Sequence, residues 1–328
     1  MTEEPDTAPD DAVIEDISAQ PPSPWRRIAS FADRTAVLFI GIAVGTVIGG
    51  SFFGLRSAPA TAPEPVQIVA TPASQPAIQA GSSECAARFS GGLTRALAAG
   101  RPLHIGVFGD SFGAGVTEGL ALQFRDDKSW VVHGFSKQAT GFTRYAKLDL
   151  LDDIRAKLDA QPIDIAVISF GANDTFDIYD DGIAAQYMSP TWQKIVGKRV
   201  DAVIQLLRDR GAQVYWVGLP KMREPDFDVK VTEMNAFYAA HMRALGVPYY
   251  DTVPVSVDAG GQYSAHLVDP KTGKSELARA NDGVHMATGH AYALLTRGLV
   301  TRIRDYVALA RADVDRQAAL RGRQASLR

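Results

Sequence analysis

Several short blocks of this chain carry the residue types needed to activate a hydroxyl. Gly109-Asp110-Ser111 ends one apolar run, Gly171-Ala172-Asn173-Asp174 ends another, and Asp282-Gly283-Val284-His285 stands just before a long helical pattern. Ala139-Thr140-Gly141-Phe142 follows a further apolar run. An imidazole can take the proton of a serine hydroxyl, and a carboxylate can hold that imidazole in the tautomer the transfer needs. Amide donors beside the serine then receive the charge that develops on a carbonyl oxygen. The candidates are Ser111 as nucleophile, His285 as base and Asp282 as its partner. The oxyanion donors would be the Ser111 and Gly141 N–H groups and the Asn173 side-chain amide. Asp282 and His285 can meet if the chain turns before the helix that starts near Thr288, and Gly283 eases that turn. Each block alone also fits a plainer role: Ser111 as a helix N-cap, Asn173-Asp174 as a turn, Gly141 as a turn glycine.

What makes the blocks informative is where the surrounding pattern places them. Apolar runs of strand length lie at 103–108 (LHIGVF), 130–135, 163–170 (IDIAVISF), 213–218 (QVYWVG) and 248–250. Helical patterns lie between and beyond them, at 85–98, 116–124, 148–160, 191–210, 228–245 and 288–310. Strands that are apolar almost throughout, alternating with helices, predict a parallel sheet covered on both faces: an α/β fold in three layers, α/β/α, of flavodoxin-like type. Ligands of such sheets bind beyond the carboxyl ends of the strands, which is where the blocks fall.

Taken together the blocks resemble the SGNH/GDSL hydrolase superfamily over about residues 101–303. Gly109-Asp110-Ser111 matches its nucleophile block and Gly141 the glycine of its short second block. Gly171-Ala172-Asn173-Asp174 matches the Gly-x-Asn-Asp block, and Asp282-Gly283-Val284-His285 the Asp-x-x-His block. The resemblance implies the roles given above, with Phe112 where the family usually has leucine. An N-terminal apolar segment, the Thr-Gly of the second block and Val217-Gly218-Leu219-Pro220 further resemble the membrane-anchored bacterial periplasmic branch, whose function is poorly known. That implies an envelope location and gives no substrate.

Residues 1–34 are acidic and Pro-rich, the composition of a disordered tail, expected on the cytoplasmic side. Residues 35–55 (TAVLFIGIAVGTVIGGSFFGL) carry no charge and are long enough to span a bilayer. Arg26, Arg27 and Arg34 precede this segment and Arg56 follows it, which predicts a cytoplasmic N-terminus and a catalytic domain on the periplasmic side of the inner membrane. The apolar stretch is longer than a cleavable signal, so an uncleaved anchor is expected, and Gly41, Gly45 and Gly49 on one helix face would permit a homodimer. Residues 56–81 read as a Pro/Ala-rich linker, 82–310 as the hydrolase-like domain and 311–328 as an Arg-rich, frayed helical tail.

A formal net charge of −3 argues against binding nucleic acid through phosphates, and the single cysteine, Cys85, excludes an internal disulfide. His104, His133, His241, His266 and His290 show no metal-ligand spacing, and Asp177, Asp180 and Asp181 lack an EF-hand pattern, so no metal or cofactor is expected. The expected activity is that of a serine esterase acting through an acyl-enzyme on O-acetyl esters of an envelope glycan, with a lipid ester as second substrate. The alternatives are an O-acyltransferase to a glycan hydroxyl and an idle envelope binding protein. Two long connections, 175–190 and 252–281, would shape the substrate site, and Tyr179, Tyr187, Trp192 and Tyr263 are candidates to stack on a sugar.

Overall fold

The computed structural model describes residues 89–180 and 182–326. The expected tail, membrane span, glycine face and linker, and the first residues of the expected domain, 82–88, lie outside these residues. Among the described residues no helix is long and apolar enough to cross a membrane.

Five parallel strands form the central sheet: β1 (Leu103–Gly109), β2 (Trp130–Gly134), β3 (Ile165–Ser169), β6 (Gln213–Val217) and β7 (Tyr249–Tyr250). Their order is β2-β1-β3-β6-β7. The chain thus winds outward on both sides of β1, and the switch of direction lies between β1 and β3, where a crevice opens at the strands' carboxyl ends. Alternation along each strand feeds two cores. Ile105, Val107, Ile165, Val167, Tyr215 and Val217 face one way. Phe108, Ala166, Ile168, Val214 and Trp216 face the other. The first core is closed by α1 (Gly91–Ala98), α2 (Ser111–Phe124) and α6 (Gly289–Ala325). The second is closed mainly by α3 (Leu150–Ala160), α4 (Pro190–Asp209) and α5 (Pro225–Leu245). This is the expected three-layer arrangement.

The helix starts are set locally. The Asp149 carboxylate accepts from the Leu151 and Asp152 amides at the head of α3. Ser189 and Glu224 cap α4 and α5, each followed by a proline whose missing N–H costs nothing at that position. Thr288 caps α6, accepting from Ala291 N at 3.1 Å.

Three features differ from the sequence reading. Helix α2 begins at Ser111 rather than near 116, because Gly115 and Gly119 let α6 approach: a Cβ on Gly115 would run into the Tyr292 ring, and one on Gly119 would lie 2.6 Å from the Tyr292 backbone. Helix α6 continues to Ala325, well past 310. The two long connections each hold a short antiparallel hairpin, β4 (Ile178–Asp180) with β5 (Ile183–Ala185), and β8 (His266–Val268) with β9 (Ser275–Leu277).

Candidate active site

At the end of β1 the chain turns directly into α2. The turn is made by Asp110, the N-cap of α2, whose buried carboxylate accepts from Phe112 N at 2.8 Å. Ser111 is the first residue of the helix, where backbone amides have no intrahelical acceptor. Its side chain therefore sits beside a free N–H, at the positive end of the α2 dipole.

The segment before α6 supplies the other two groups. Asp282 folds back on its own chain, its Oδ1 accepting from Val284 N at 2.8 Å and His285 N at 3.0 Å. Gly283 adopts the left-handed φ of 72° that this tight turn requires. Asp282 Oδ2 then lies 2.7 Å from His285 Nδ1, and His285 Nε2 lies 2.8 Å from Ser111 Oγ. Three side chains from two segments 174 residues apart thus form one continuous hydrogen-bonded line. Burial works against the charge on Asp282, but the His285 ring and the two amides outweigh it and hold the carboxyl down at about 2. Phe112, fully buried, packs between the His285 ring and Tyr292, with centroids 6.5 and 5.2 Å away, and supports the imidazole from below.

Across the crevice, Asn173 follows β3. Its Nδ2 donates to Asp110 Oδ2 at 3.2 Å, which turns the amide's NH₂ end toward the turn that holds Ser111. Asp110 is pushed up from 3.8 to about 6: burial is the main cause, the charge of Asp174 adds to it, and the amide hydrogen bonds oppose it. Asp174 does a different job. Buried, it accepts from Thr143 N at 2.8 Å, from Thr143 Oγ1 at 3.0 Å and from Tyr238 OH at 3.2 Å, and so pins the loop after β2. Gly141 lies in that loop against the Asp174 carboxylate, where a Cβ would collide with it.

Ser111, Asn173 and His285 share the wall of one cleft of about 570 Å³. The loop after β2 lines it with Gln138 and Ala139, and Gly141 is not on its wall. Ala139 is held in the left-handed region at φ 56°, uncommon for a residue with a side chain. Glu118 and Thr288 add a carboxylate and a hydroxyl further out. Gln138 and Glu118 escaped the sequence reading, which quoted Ala139 only as a member of the Thr-Gly block. Only the helical spacing from Ser111 to Glu118, about two turns, could have flagged either of them.

The aromatic candidates divide. Trp192 is fully buried and its indole N–H donates to Phe176 O, so it cannot stack on a sugar. The Tyr187 hydroxyl is spent on Lys230 O at 2.7 Å, and Tyr263 stacks on Arg279. Tyr179 is exposed, and so is Phe176, which the sequence reading passed over. A second, apolar groove between α4 and α5, lined by Met188, Phe237 and His241, lies apart from these groups.

The Gly-Asp-Ser, Gly-x-Asn-Asp and Asp-x-x-His blocks thus meet at one cleft and the resemblance to the SGNH/GDSL hydrolases is borne out, while Gly141 of the short second block, expected as an oxyanion donor, stands off the cleft wall. A family model described as "Protein of unknown function (DUF459)" matches residues 104–302. No curated protein matches the sequence. Among solved structures, the chain is similar to a GDSL-like lipase from Bacteroides thetaiotaomicron at 15% identity, covering 65% of this chain and 97% of that one, with a TM-score of 0.43. It is similar to the aryl esterase of M. smegmatis at 17% identity, covering 62% and 99%, with a TM-score of 0.42. It is also similar to the acetyl xylan esterase AlAXEase at 16% identity, covering 61% and 100%, with a TM-score of 0.43.

Proposed function

This chain belongs to the DUF459 family, and from the geometry of its cleft we propose that it is an SGNH-type serine ester hydrolase working through an acyl-enzyme. The observation that carries the reading is the unbroken line Ser111 Oγ–His285–Asp282, at 2.8 and 2.7 Å. Both contacts are within the range in which a base can take a hydroxyl proton and a carboxylate can orient it.

In the first half-reaction Ser111 Oγ bonds to the ester carbonyl carbon while His285 Nε2 takes its proton. The carbonyl oxygen becomes an oxyanion, received by the Ser111 N–H and by Asn173 Nδ2. The bond to the alcohol oxygen then breaks, and His285 returns the proton to it. Water repeats the sequence in reverse roles, releasing the acid and restoring Ser111. Asp282, ionised from about pH 2 upward, compensates the imidazolium in both halves.

The substrate class we propose is an O-acetyl ester of an envelope glycan. The cleft's polar wall of Gln138, Asn173, Glu118 and Thr288 suits a hydroxyl-rich group better than an acyl chain. The envelope location rests on the expected anchor at 35–55 and is tested separately by a reporter fused after Arg328; a reporter active only in the cytoplasm refutes it. For the chemistry, the full chain is treated with a fluorophosphonate probe beside Ser111→Ala and His285→Ala. Labelling of wild type alone, with turnover of nitrophenyl acetate, is the expected result. An unlabelled wild type refutes the hydrolase and leaves the cleft as a binding site.

A further inference from the structure

The turn that carries Asp282 and His285 is gripped from behind by an arginine with no salt bridge among the described residues. Arg279 is 2% exposed. Its polar partners are almost all backbone carbonyls: Nη1 donates to Lys221 O at 2.7 Å, and Nη2 to Gly283 O and Val284 O at 3.0 Å each. The Met222 sulfur lies 3.9 Å from Nη2, and the guanidinium stands 4.9 Å from the centre of the Tyr263 ring. No carboxylate among the described residues is hydrogen-bonded to it; Asp282 acts on it only through its charge. Burying a cation on carbonyls alone is costly, so the place it occupies is informative.

That place is defined by two peptide units. Gly283 and Val284 are the residues between Asp282 and His285. In a trans peptide the C=O and N–H point in opposite directions across one rigid plane. The carbonyls of Gly283 and Val284 point at Arg279, and the N–H groups of the same two planes, on Val284 and His285, point at Asp282 Oδ1. A cation thus sits at the oxygen ends and the triad carboxylate at the hydrogen ends of two aligned dipoles. Arg223 also holds the turn: its backbone N–H donates to Gly283 O at 3.2 Å, beside Arg279, and its Nη2 donates to Asn281 O at 2.6 Å. A Cβ on Gly283 would lie 2.5 Å from the Arg223 Cβ, so the turn has no slack on that side.

We propose that Arg279 is a positioning residue for the triad. Through the 283–284 and 284–285 peptides it fixes the direction of the Asp282 carboxylate, and hence of the His285 ring that must reach Ser111. The inference rests on the hydrolase reading above and adds to it a residue outside the triad and the oxyanion donors.

The test uses the full chain with Arg279→Gln, which keeps a shorter polar group without charge, and Arg279→Lys, which keeps the charge with fewer directed donors. Active sites are titrated by the fluorophosphonate probe, and kcat and KM for nitrophenyl acetate are expressed per labelled site. A displaced base slows proton transfer without changing binding, so kcat should fall about 10- to 100-fold in Arg279→Gln at unchanged KM. Arg279→Lys should recover part of it. A purely structural arginine would instead lower the fraction of sites that label and the melting temperature, and leave kcat per labelled site at the wild-type value; that result overturns the proposal. If Arg279→Gln does not fold, Arg279→Lys decides alone: wild-type kcat per site overturns it, and a fall at unchanged KM supports it. A wild type that neither labels nor turns over refutes the hydrolase reading, a failure distinct from either.

Discussion

Asp110 offers a perturbation in which stability and activity should move in opposite directions. The carboxyl is fully buried, and burial raises it from 3.8 to about 6. Between those values the unfolded chain has lost the proton while the folded chain keeps it. The unfolded state then binds fewer protons, so stability falls as pH rises through this window and is level above it. At about 1.36 kcal/mol for each pH unit, the gap from 3.8 to about 6 corresponds to a loss of about 3 kcal/mol. Asp174, also buried and raised, adds to the wild-type slope in the same direction, so the quantity to read is the difference between wild type and Asp110→Asn.

Asparagine fits the site and cannot ionise. Its oxygen can keep the Phe112 N–H, but its NH₂ must then face the Asn173 NH₂ that now donates to Asp110 Oδ2. One of the two amides must turn or go unpaired, at about 1–3 kcal/mol. The variant should therefore be less stable than wild type near pH 4 and gain about 3 kcal/mol on it by about pH 7, ending level or ahead. If Asn173 turns, its oxygen replaces a donor in the cleft, and kcat/KM should fall about 10²- to 10³-fold, the effect of losing one oxyanion donor. Urea unfolding of both proteins from about pH 4 to about pH 7 gives the first quantity, and ester turnover at neutral pH the second. A stability difference that does not change with pH refutes the buried, raised carboxyl. Wild-type turnover in the variant refutes the orienting role.

Two further changes test the frame around the site. Gly119→Ala places a Cβ 2.6 Å from the backbone of Tyr292 and 2.8 Å from Ala293 N, so α2 and α6 must separate. Overpacking of about 1–3 kcal/mol should exceed the gain of about 1 kcal/mol in helix propensity and lower the melting temperature; an unchanged or higher one refutes this packing. Asp282→Asn removes a carboxylate whose ionisation persists down to about pH 2. Turnover should drop by about 10⁴-fold at neutral pH. In wild type no loss of activity on acidification above about pH 3 should come from this group, since its folded value lies below the ordinary one and its charge is lost only as pH falls through about 2. A variant with near-wild-type turnover would remove Asp282 from the reaction.

The sheet was legible because its inner strands are buried on both faces: IAVIS at Ile165–Ser169 has no exposed position and no other reading of comparable strength. The start of α2 was not, since Ser-Phe-Gly-Ala-Gly has poor helix propensity and no apolar stripe. Contact with Tyr292, far along the chain, makes it helical. The far end of α6 lacks an apolar stripe too, and Ala, Arg and Gln carry it to Ala325 on local preference. The hairpins β4–β5 and β8–β9 are too short to show alternation. Within the cleft, Ser111, Asn173, Asp282 and His285 could be read because each sits at a fixed offset from an element end. Arg279 could not, since its partners are carbonyls, one of them at Lys221, and a backbone acceptor leaves no mark on residue type.

The contrast explains how two distant segments come to share a proton path. Ser111 heads α2, and His285 lies only a few residues ahead of α6. Helices α2 and α6 pack tightly only because glycines stand at 115 and 119, where Tyr292 would otherwise be held off. That close packing brings the heads of the two helices together, and Ser111 at the head of one and His285 just before the other inherit the short distance. What it leaves undetermined is direction, because a turn of a few residues can point its side chains several ways. On this reading direction comes from carboxylates and cations that never meet the substrate: Asp110 for the Asn173 amide, and Arg279 for the Asp282–His285 turn. Packing sets how near the reacting groups lie, and buried charge sets which way they face. Substitutions at the glycines should therefore lower stability and rate together, and substitutions at Asp110 and Arg279 should at neutral pH act mainly on rate.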